Sequence, residues 1–372
     1  MTKFRTAKYL PLVFVAASAF SSACQKQGGA ESKTADGQSG ATASADTASS
    51  KYLSQPLIPG MYTADPSAHV FNGKIYIYPS HDIEAGTPEN DNGDHFDMRD
   101  YHIFSMDDIN GKVTDHGVAL DIKDIPWAKR QLWAPDAAFK NGKYYLYFPV
   151  KDKQDVFRIG VATSTSPTGP FKAEPKPIEG SFSIDPAVFT DTDGTAYMYF
   201  GGIWGGQLQR WATGKYDSTA APEPASGNAL APKMAKMRAD MLGFEGPVKD
   251  VQLLDENGKP FPATEHNKRF FEAAWVHKYN GKYYFSYSTG DTHNIAYAIG
   301  DSPTGPFTYK GVLLNPVEGW TNHHSVVEFK GKWYLFYHDT QTSGKTHLRN
   351  VKVTELTHQP DGTIKTITAV KS

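Results

Sequence analysis

Cys24 is the only cysteine in the 372-residue chain, so no disulfide can form within it. Charge of one sign is not in excess either. Lys+Arg number 38 against 40 Asp+Glu, a formal net charge of -2, and without a basic stripe to neutralise phosphates the chain has no mark of a nucleic-acid partner. Runs of strong helix formers are few, which argues against a helical bundle. The one long apolar stretch, Tyr9–Phe20, is about half of what a membrane-spanning helix needs. What is present is aromatic and turn-forming: 20 Tyr, 21 Phe and 7 Trp beside 33 Gly and 24 Pro. That combination points to many short strands joined by tight turns. An apolar fraction of 39% excludes global disorder and suffices for one large domain or two modest ones.

Residues 1–23 read as an export signal, with Lys3, Arg5 and Lys8 before the apolar stretch and the small Ser21-Ser22-Ala23 after it. Cys24 follows at once. A lone cysteine at this junction resembles the acylation site of a bacterial lipoprotein, which implies a membrane-anchored protein facing the periplasm or the cell exterior. Ser21 stands where such sites usually carry Leu, so ordinary cleavage near this point is the alternative. Residues 24–54 form a Gly/Ser/Ala/Thr-rich tether without apolar period, which leaves residues 55–372 as the folded domain.

One pattern recurs five times in that domain, headed by Asp65, Ala134, Asp185, Glu272 and His323. Each copy is a short apolar strand, a turn (Asn72-Gly73, Asn141-Gly142, Asp193-Gly194, Asn280-Gly281, Lys330-Gly331) and an aromatic alternating strand such as Lys143–Phe148. Asn-Gly and Asp-Gly provide the positive φ angles of hairpin turns. A second motif, Ser-Pro-Thr-Gly-Pro-Phe, follows small-residue strands at 166–171 and 302–307. Each unit therefore holds more than one hairpin. The heads lie 69, 51, 87 and 51 residues apart, spacings that fit four-stranded units and an all-β, five-bladed β-propeller. The plainer alternative is a β-sandwich with coincidental hairpins.

Asp65, Ala134 and His323 stand eight residues before their turn glycines, and Asp185 and Glu272 nine, the extra residue being assigned to a longer turn. In a propeller the innermost strands surround the axis, so three carboxylates and a histidine would converge at one mouth. Crowded carboxylates disfavour one another's ionisation and desolvation adds to that, which favours a chemical role over capping turns or pairing with cations such as Arg269. Two opposed carboxyl groups with separated pKa values are what glycoside hydrolysis requires.

The segments Ala64-Asp65-Pro66-Ser67, Trp133-Ala134-Pro135-Asp136, Ile184-Asp185-Pro186, Phe271-Glu272-Ala273 and Asn322-His323-His324-Ser325 resemble the blade motifs of glycoside hydrolase family 43. The resemblance spans essentially the whole chain after the tether. It implies inverting cleavage of xylose- or arabinose-containing polymers, with Asp65 as general base, Glu272 as general acid and Asp185 orienting the acid and tuning its pKa. It further implies that His323, or His324 one residue on, helps to hold a calcium ion or ordered water in the propeller channel. The Asn-Asp-Pro-Asn-Gly entry of the retaining invertase and levansucrase group is absent; the chain has Ala-Asp-Pro-Ser.

Apolar sugar faces suit aromatic platforms, for which Trp133, Trp204 and Trp275 are candidates, Trp275 being equally well explained by core packing. Arg349 is a candidate substrate contact, with a surface pair to Glu355 as the duller reading, and Asp136 a candidate hydrogen-bond acceptor behind the site. The acidic stretch 84–100 reads as solvated loop before it reads as a cation site. Residues 212–268 read as an insertion at the rim of the mouth, with a short helix near 233–242. The expected activity is a β-xylosidase on non-reducing ends of xylo-oligosaccharides or xylan. An α-L-arabinofuranosidase is the near alternative, and a non-catalytic carbohydrate-binding propeller the distant one.

Overall fold

Hairpin chemistry sets the architecture. In the computed structural model, which describes residues 51–290 and 292–371, both turn residues take positive φ at Asn72-Gly73, Asn141-Gly142, Asn280-Gly281 and Lys330-Gly331. This mirror-image turn matches the strands' natural twist. Around these hairpins five antiparallel sheets form. The first blade pairs Thr63–Phe71, Lys74–His81, Asp100–Met106 and Thr114–Asp121 in sequence order. In the second, Asp136–Lys140, Lys143–Asp152, Phe157–Ser164 and Lys172–Ala173 pair in turn, and Ala128–Arg130 adds to the far end of Lys143–Asp152. The third comprises Ala187–Thr190, Ala196–Phe200, Lys233–Lys236 and Lys249–Asp250. The fourth is Phe270–Tyr279, Lys282–Thr289, Ile295–Gly300 and Phe307–Leu314, with Leu253–Leu254 parallel at its edge. The fifth is His324–Phe329, Lys332–Asp339 and Asn350–Leu356. The all-β, five-bladed propeller read from the sequence is the observed fold.

The aromatic wealth fills the seams between blades. Five apolar clusters lie at the five blade junctions, from Tyr78 with Leu146 and Phe148 between the first two blades to Ile77 with Phe336 and Val353 where the ring closes. Tyr78, Tyr147 and Tyr199, each five residues past a turn glycine, donate their hydroxyls to carbonyls of the next blade at Pro167, Met241 and Pro303, so their polar ends are satisfied in the core. Ring closure draws on the segment before the first blade. The N–H of Leu57 donates to Val351 at 2.9 Å and that of Leu53 to Ala369 at 2.8 Å, while Tyr52 bridges Val370. The described fold therefore takes in residues 52–54 as well as those from 55 on. The export signal, Cys24 and the tether up to 50 lie outside the described residues.

Two expectations for the long connection 212–268 fail. Lys233–Lys236 is a strand of the third blade, not part of a helix, because Met234 and Ala235 are both buried, on opposite faces of a sheet beside Ala196–Phe200. None of these residues lines the central cavity; the segment completes blades instead of rimming the mouth.

Candidate active site

A cavity of about 880 Å³ opens at one end of the propeller, and Asp65, Asp185, Glu272, His323 and Arg349 all line it. Local backbone distortion aims the acids there. Asp65 and Asp185 take φ of 49° and 56°, and Ala273, next to Glu272, takes 61°, a region that costs non-glycine residues on the order of 1–3 kcal/mol each. The pairing register slips between Ala64 and Ser67 and on both sides of Glu272. Such bulges turn a side chain out of the sheet plane. They also correct the explanation of the repeat spacing: a longer turn, closed by the N–H of Asp191 on Thr195, accounts for the third blade, whereas the fourth keeps the short turn and its register sets Glu272, opposite Ser288, level with Ala64, opposite Ser80, so that Ala273 and not Glu272 takes the position of Asp65.

Asp65 is 6% exposed and heavily bonded. Arg349 Nη1 donates to its Oδ1 at 2.8 Å, Ser80 Oγ to its Oδ2 at 2.7 Å, and its own N–H donates to His338 Nδ1 at 3.0 Å. Burial alone would raise its pKa, but Arg349, two nearby imidazoles and Ser80 outweigh that and bring it down to about 2. Of these partners Arg349 is the one that carries charge at neutral pH, because burial holds His338 down to about 3 and His323 to about 4. Arg349 is anchored in turn by Asp82, which accepts from Nε and Nη2 at 2.8 Å each and from the Arg349 N–H at 2.8 Å, and its guanidinium lies 4.8 Å over the Phe96 ring.

The other two acids behave in the opposite sense. Burial, then the negative charge of Asp65, raises Glu272 to about 8. Burial, Glu272 and Asp65 likewise push Asp185 well above the ordinary range. The two titrate as a pair that retains a proton at neutral pH. Asp185 Oδ2 accepts the N–H of Ala273 at 2.9 Å, a bond that favours the charged form, whereas the Glu272 carboxyl has no hydrogen-bond partner among the described residues. Glu272, raised to about 8, holds a proton at neutral pH. His323 Nδ1 bridges the space between, 3.6 Å from Asp65 Oδ1 and 3.8 Å from Asp185 Oδ2.

Trp133 and Trp204 line the cavity as expected. The indole N–H of Trp133 donates to the Phe96 carbonyl at 2.6 Å. The loop carrying Trp204 lies flat against Ile184, where a Cβ on Gly202 would come within 2.6 Å of the Ile184 side chain. Trp275 does not reach the cavity: its indole donates to Val326 at 3.1 Å and packs between the fourth and fifth blades. Asp136 is also absent from the lining. It lies 1% exposed beneath the site, accepting from Ser67 Oγ and the Val188 N–H at 2.5 Å each and lying 2.7 Å from His69 Nε2. Arg349 pairs with Asp82 and Asp65, not with Glu355, which pairs with Lys332; Arg269 pairs with Glu223. Within 84–100, Glu89 and Asp91 rim the cavity, and Glu84, Asp94, Asp97 and Asp100 pair with cationic or imidazole partners.

At His323 the ring nitrogen faces two carboxylates, one of which is already committed to Arg349. His324 fits a calcium ion better: its Nε2 is 2.6 Å from Ser286 Oγ, and its Nδ1 is buried without a partner. Calcium prefers six to eight oxygen ligands, so an ion at that atom would take most of its shell from water.

Sequence reasoning missed Asp82, His338, Ser80 and Thr321, which fix Asp65 and Arg349. For Ser80, Asp82 and His338 the signal lay at the ends of the aromatic strands, where alternation gives way to polar runs, Ser80-His81-Asp82 and Tyr337–Thr340; Thr321, two residues before His323, had none. In a hairpin, the end of the second strand lies beside the start of the first, so these runs share the mouth with the repeat heads.

A propeller whose mouth holds one ionised carboxylate against a protonated one is a glycoside hydrolase in its chemistry. The chain belongs to glycosyl hydrolases family 43, whose model matches residues 53–364. It is similar to a xylosidase/arabinosidase of Bacteroides ovatus, with 59% identity over 84% of this chain and 96% of the relative. It is also similar to a β-xylosidase of Xylanibacter ruminicola, with 52% identity over 84% and 98%. Among solved structures, a family 43 β-xylosidase/α-arabinofuranosidase from a compost microbial metagenome, in complex with xylotriose in a calcium-free form, superposes with TM-score 0.84 at 69% identity, covering 85% of this chain and 97% of that one.

Proposed function

We propose that the protein is an exo-acting, inverting β-xylosidase that releases xylose from the non-reducing ends of xylo-oligosaccharides. The observation that carries this reading is the opposed protonation of Asp65 and Glu272 across one cavity. Asp65, held ionised by Arg349, takes a proton from the water that attacks the anomeric carbon. As the C–O bond breaks, Glu272 gives its proton to the departing oxygen, and the released sugar carries the inverted configuration. Burial and the negative charge of Asp65 keep Glu272 protonated, and Asp185, bonded to the N–H of Ala273, fixes the backbone beside the acid. Trp133 and Trp204 offer apolar faces to the sugar rings. Arabinofuranosides are the second substrate class, a reading favoured by relatives named for both activities. A propeller that only bound carbohydrate would have no use for the crowded acids.

Hydrolysis of xylobiose and of p-nitrophenyl xyloside and arabinofuranoside tests the reading: xylose release is expected, and release from none of the three would overturn it. The rate constant kcat/KM should fall above pH 8 as Glu272 loses its proton and hold on the acid side to below pH 4, because Asp65 titrates near 2. Calcium enters the proposal at His324 as a structural ion that would tie the inner strands together. Chelation should lower Tm and calcium restore it; indifference to both argues for water there. Export and lipidation at Cys24 belong to the same proposal on the sequence alone. Mass spectrometry of the mature N-terminus separates diacylglyceryl-cysteine from an unmodified end.

A further inference from the structure

Away from the cavity, the outer strands of the first blade gather a second set of ionisable groups. His81 ends one strand, Asp100 and His102 lie on the next, and Asp115 lies on the outermost. One donor atom from each of His81, Asp100 and His102 lies within 4.8 Å of the others, the only such trio among the described residues. The imidazole centroids are 5.1 Å apart. His81 Nδ1 is 2.5 Å from Asp100 Oδ1, and His102 Nδ1 is 3.0 Å from Asp115 Oδ1. Neither Nε2 has a hydrogen-bond partner among the described residues. The site is half open, His81 and His102 keeping 21% and 15% side-chain exposure.

We propose that His81, Asp100 and His102 form a binding site for a divalent transition ion of the zinc type, with Asp115 orienting His102. Two imidazoles and a carboxylate are the donor set that zinc and its neighbours favour and that calcium and magnesium do not. A tetrahedral zinc ion holds its ligand atoms about 3.3 Å apart, so the His81–Asp100 pair would part slightly and the wider separations close, shifts that these partly exposed side chains reach by rotamer adjustment. A carboxylate on the ring nitrogen turned away from the metal is the usual outer support of a metal-binding histidine, and Asp115 stands ready for that part. Asp100, Asp82 and Asp115 all raise the affinity of His81 for a proton, and the same negative field attracts a divalent cation. The site joins three adjacent strands one residue before Asp82, so a bound ion would brace the strand end that anchors Arg349.

Titration of the tag-free purified protein with ZnCl2 and CoCl2 tests this. Saturation at one equivalent is expected, with visible Co(II) bands of a low-coordinate site and a raised Tm, and excess CaCl2 should not compete. His81→Ala and His102→Gln should each abolish that equivalent, and Asp115→Asn should weaken it by about 10- to 100-fold. His324→Gln should leave it intact, which separates the site from the channel. If His81→Ala fails to fold, His102→Gln, which keeps a polar side chain of similar size, decides. A wild-type protein with no saturable zinc site, or a stoichiometry unchanged in the histidine variants, overturns the proposal.

Discussion

Exchange of Glu272 for Gln is expected to lower kcat on xylobiose by about 10²- to 10⁴-fold, the range that a positioned general acid supplies. The size of the loss alone would not prove the role, because any distortion of the mouth slows the reaction. The leaving group makes the distinction. A sugar alkoxide needs its proton as the bond breaks, whereas p-nitrophenolate leaves without one, so the variant should lose far less on the nitrophenyl xyloside than on xylobiose. The alkaline limb near pH 8 should vanish at the same time, because Gln does not titrate. Equal losses on both substrates with the alkaline limb retained would remove Glu272 from the acid role. Because Gln preserves volume and Glu272 has no hydrogen-bond partner among the described residues, folding should be unaffected.

The contrast between Glu272 and Asp65 also shows what the sequence could and could not carry. The repeat heads were legible because the hairpin turn is a fixed marker: counting back from Gly73, Gly194 and Gly281 finds the acids without any knowledge of the fold. Blade number followed from the same markers. The division of labour between the acids came from the family resemblance and from no local pattern, because it rests on Arg349, whose guanidinium reaches Asp65 from 284 residues away. No local pattern encodes such a pairing; only ring closure creates it. Trp275 failed as a substrate contact, and Asp136 accepts its hydrogen bonds behind the site and not within it, for a related reason. A residue two or three positions past a repeat head has moved about 7–10 Å along its strand, out of the mouth and into the body of the propeller. The supposed insertion was misread because the outer strands of the third blade are short, Lys233–Lys236 and Lys249–Asp250, and too polar on one side to announce themselves. The Pro-rich connection before them hid the blade's continuation.

Arg349 carries the second large effect. It is 3% exposed and lies between two buried carboxylates, making four hydrogen bonds to Asp82 and Asp65 at 2.8 Å, one of them from its backbone N–H. Removing one partner of a buried ion pair leaves an uncompensated charge and costs about 3–5 kcal/mol. Arg349→Met should destabilise the protein by that amount at pH 7, and Arg349→Lys should rescue only part of it, because an ammonium cannot grip Asp82 with a planar fork. In the wild type, burial raises Asp82 despite its bonds to Arg349, while Asp65 is held near 2. A lowered carboxyl stabilises the fold above its ordinary pKa of about 4 and loses that contribution as pH falls toward 2; for Asp65 the contribution is about 2.5 kcal/mol. Without the guanidinium both carboxyls rise, and each takes up a proton at a pH where the wild-type Asp65 is still ionised. The deficit of Arg349→Met should therefore be largest at neutral pH and shrink as pH is lowered toward 4, a trend that calorimetry from pH 4 to 8 reads directly. The acid limb of kcat/KM should move upward in step, because the proposed base then protonates within the working range. A deficit independent of pH, with an unmoved acid limb, would mean that Arg349 supports the fold by packing on Phe96 and does not hold the Asp65 charge.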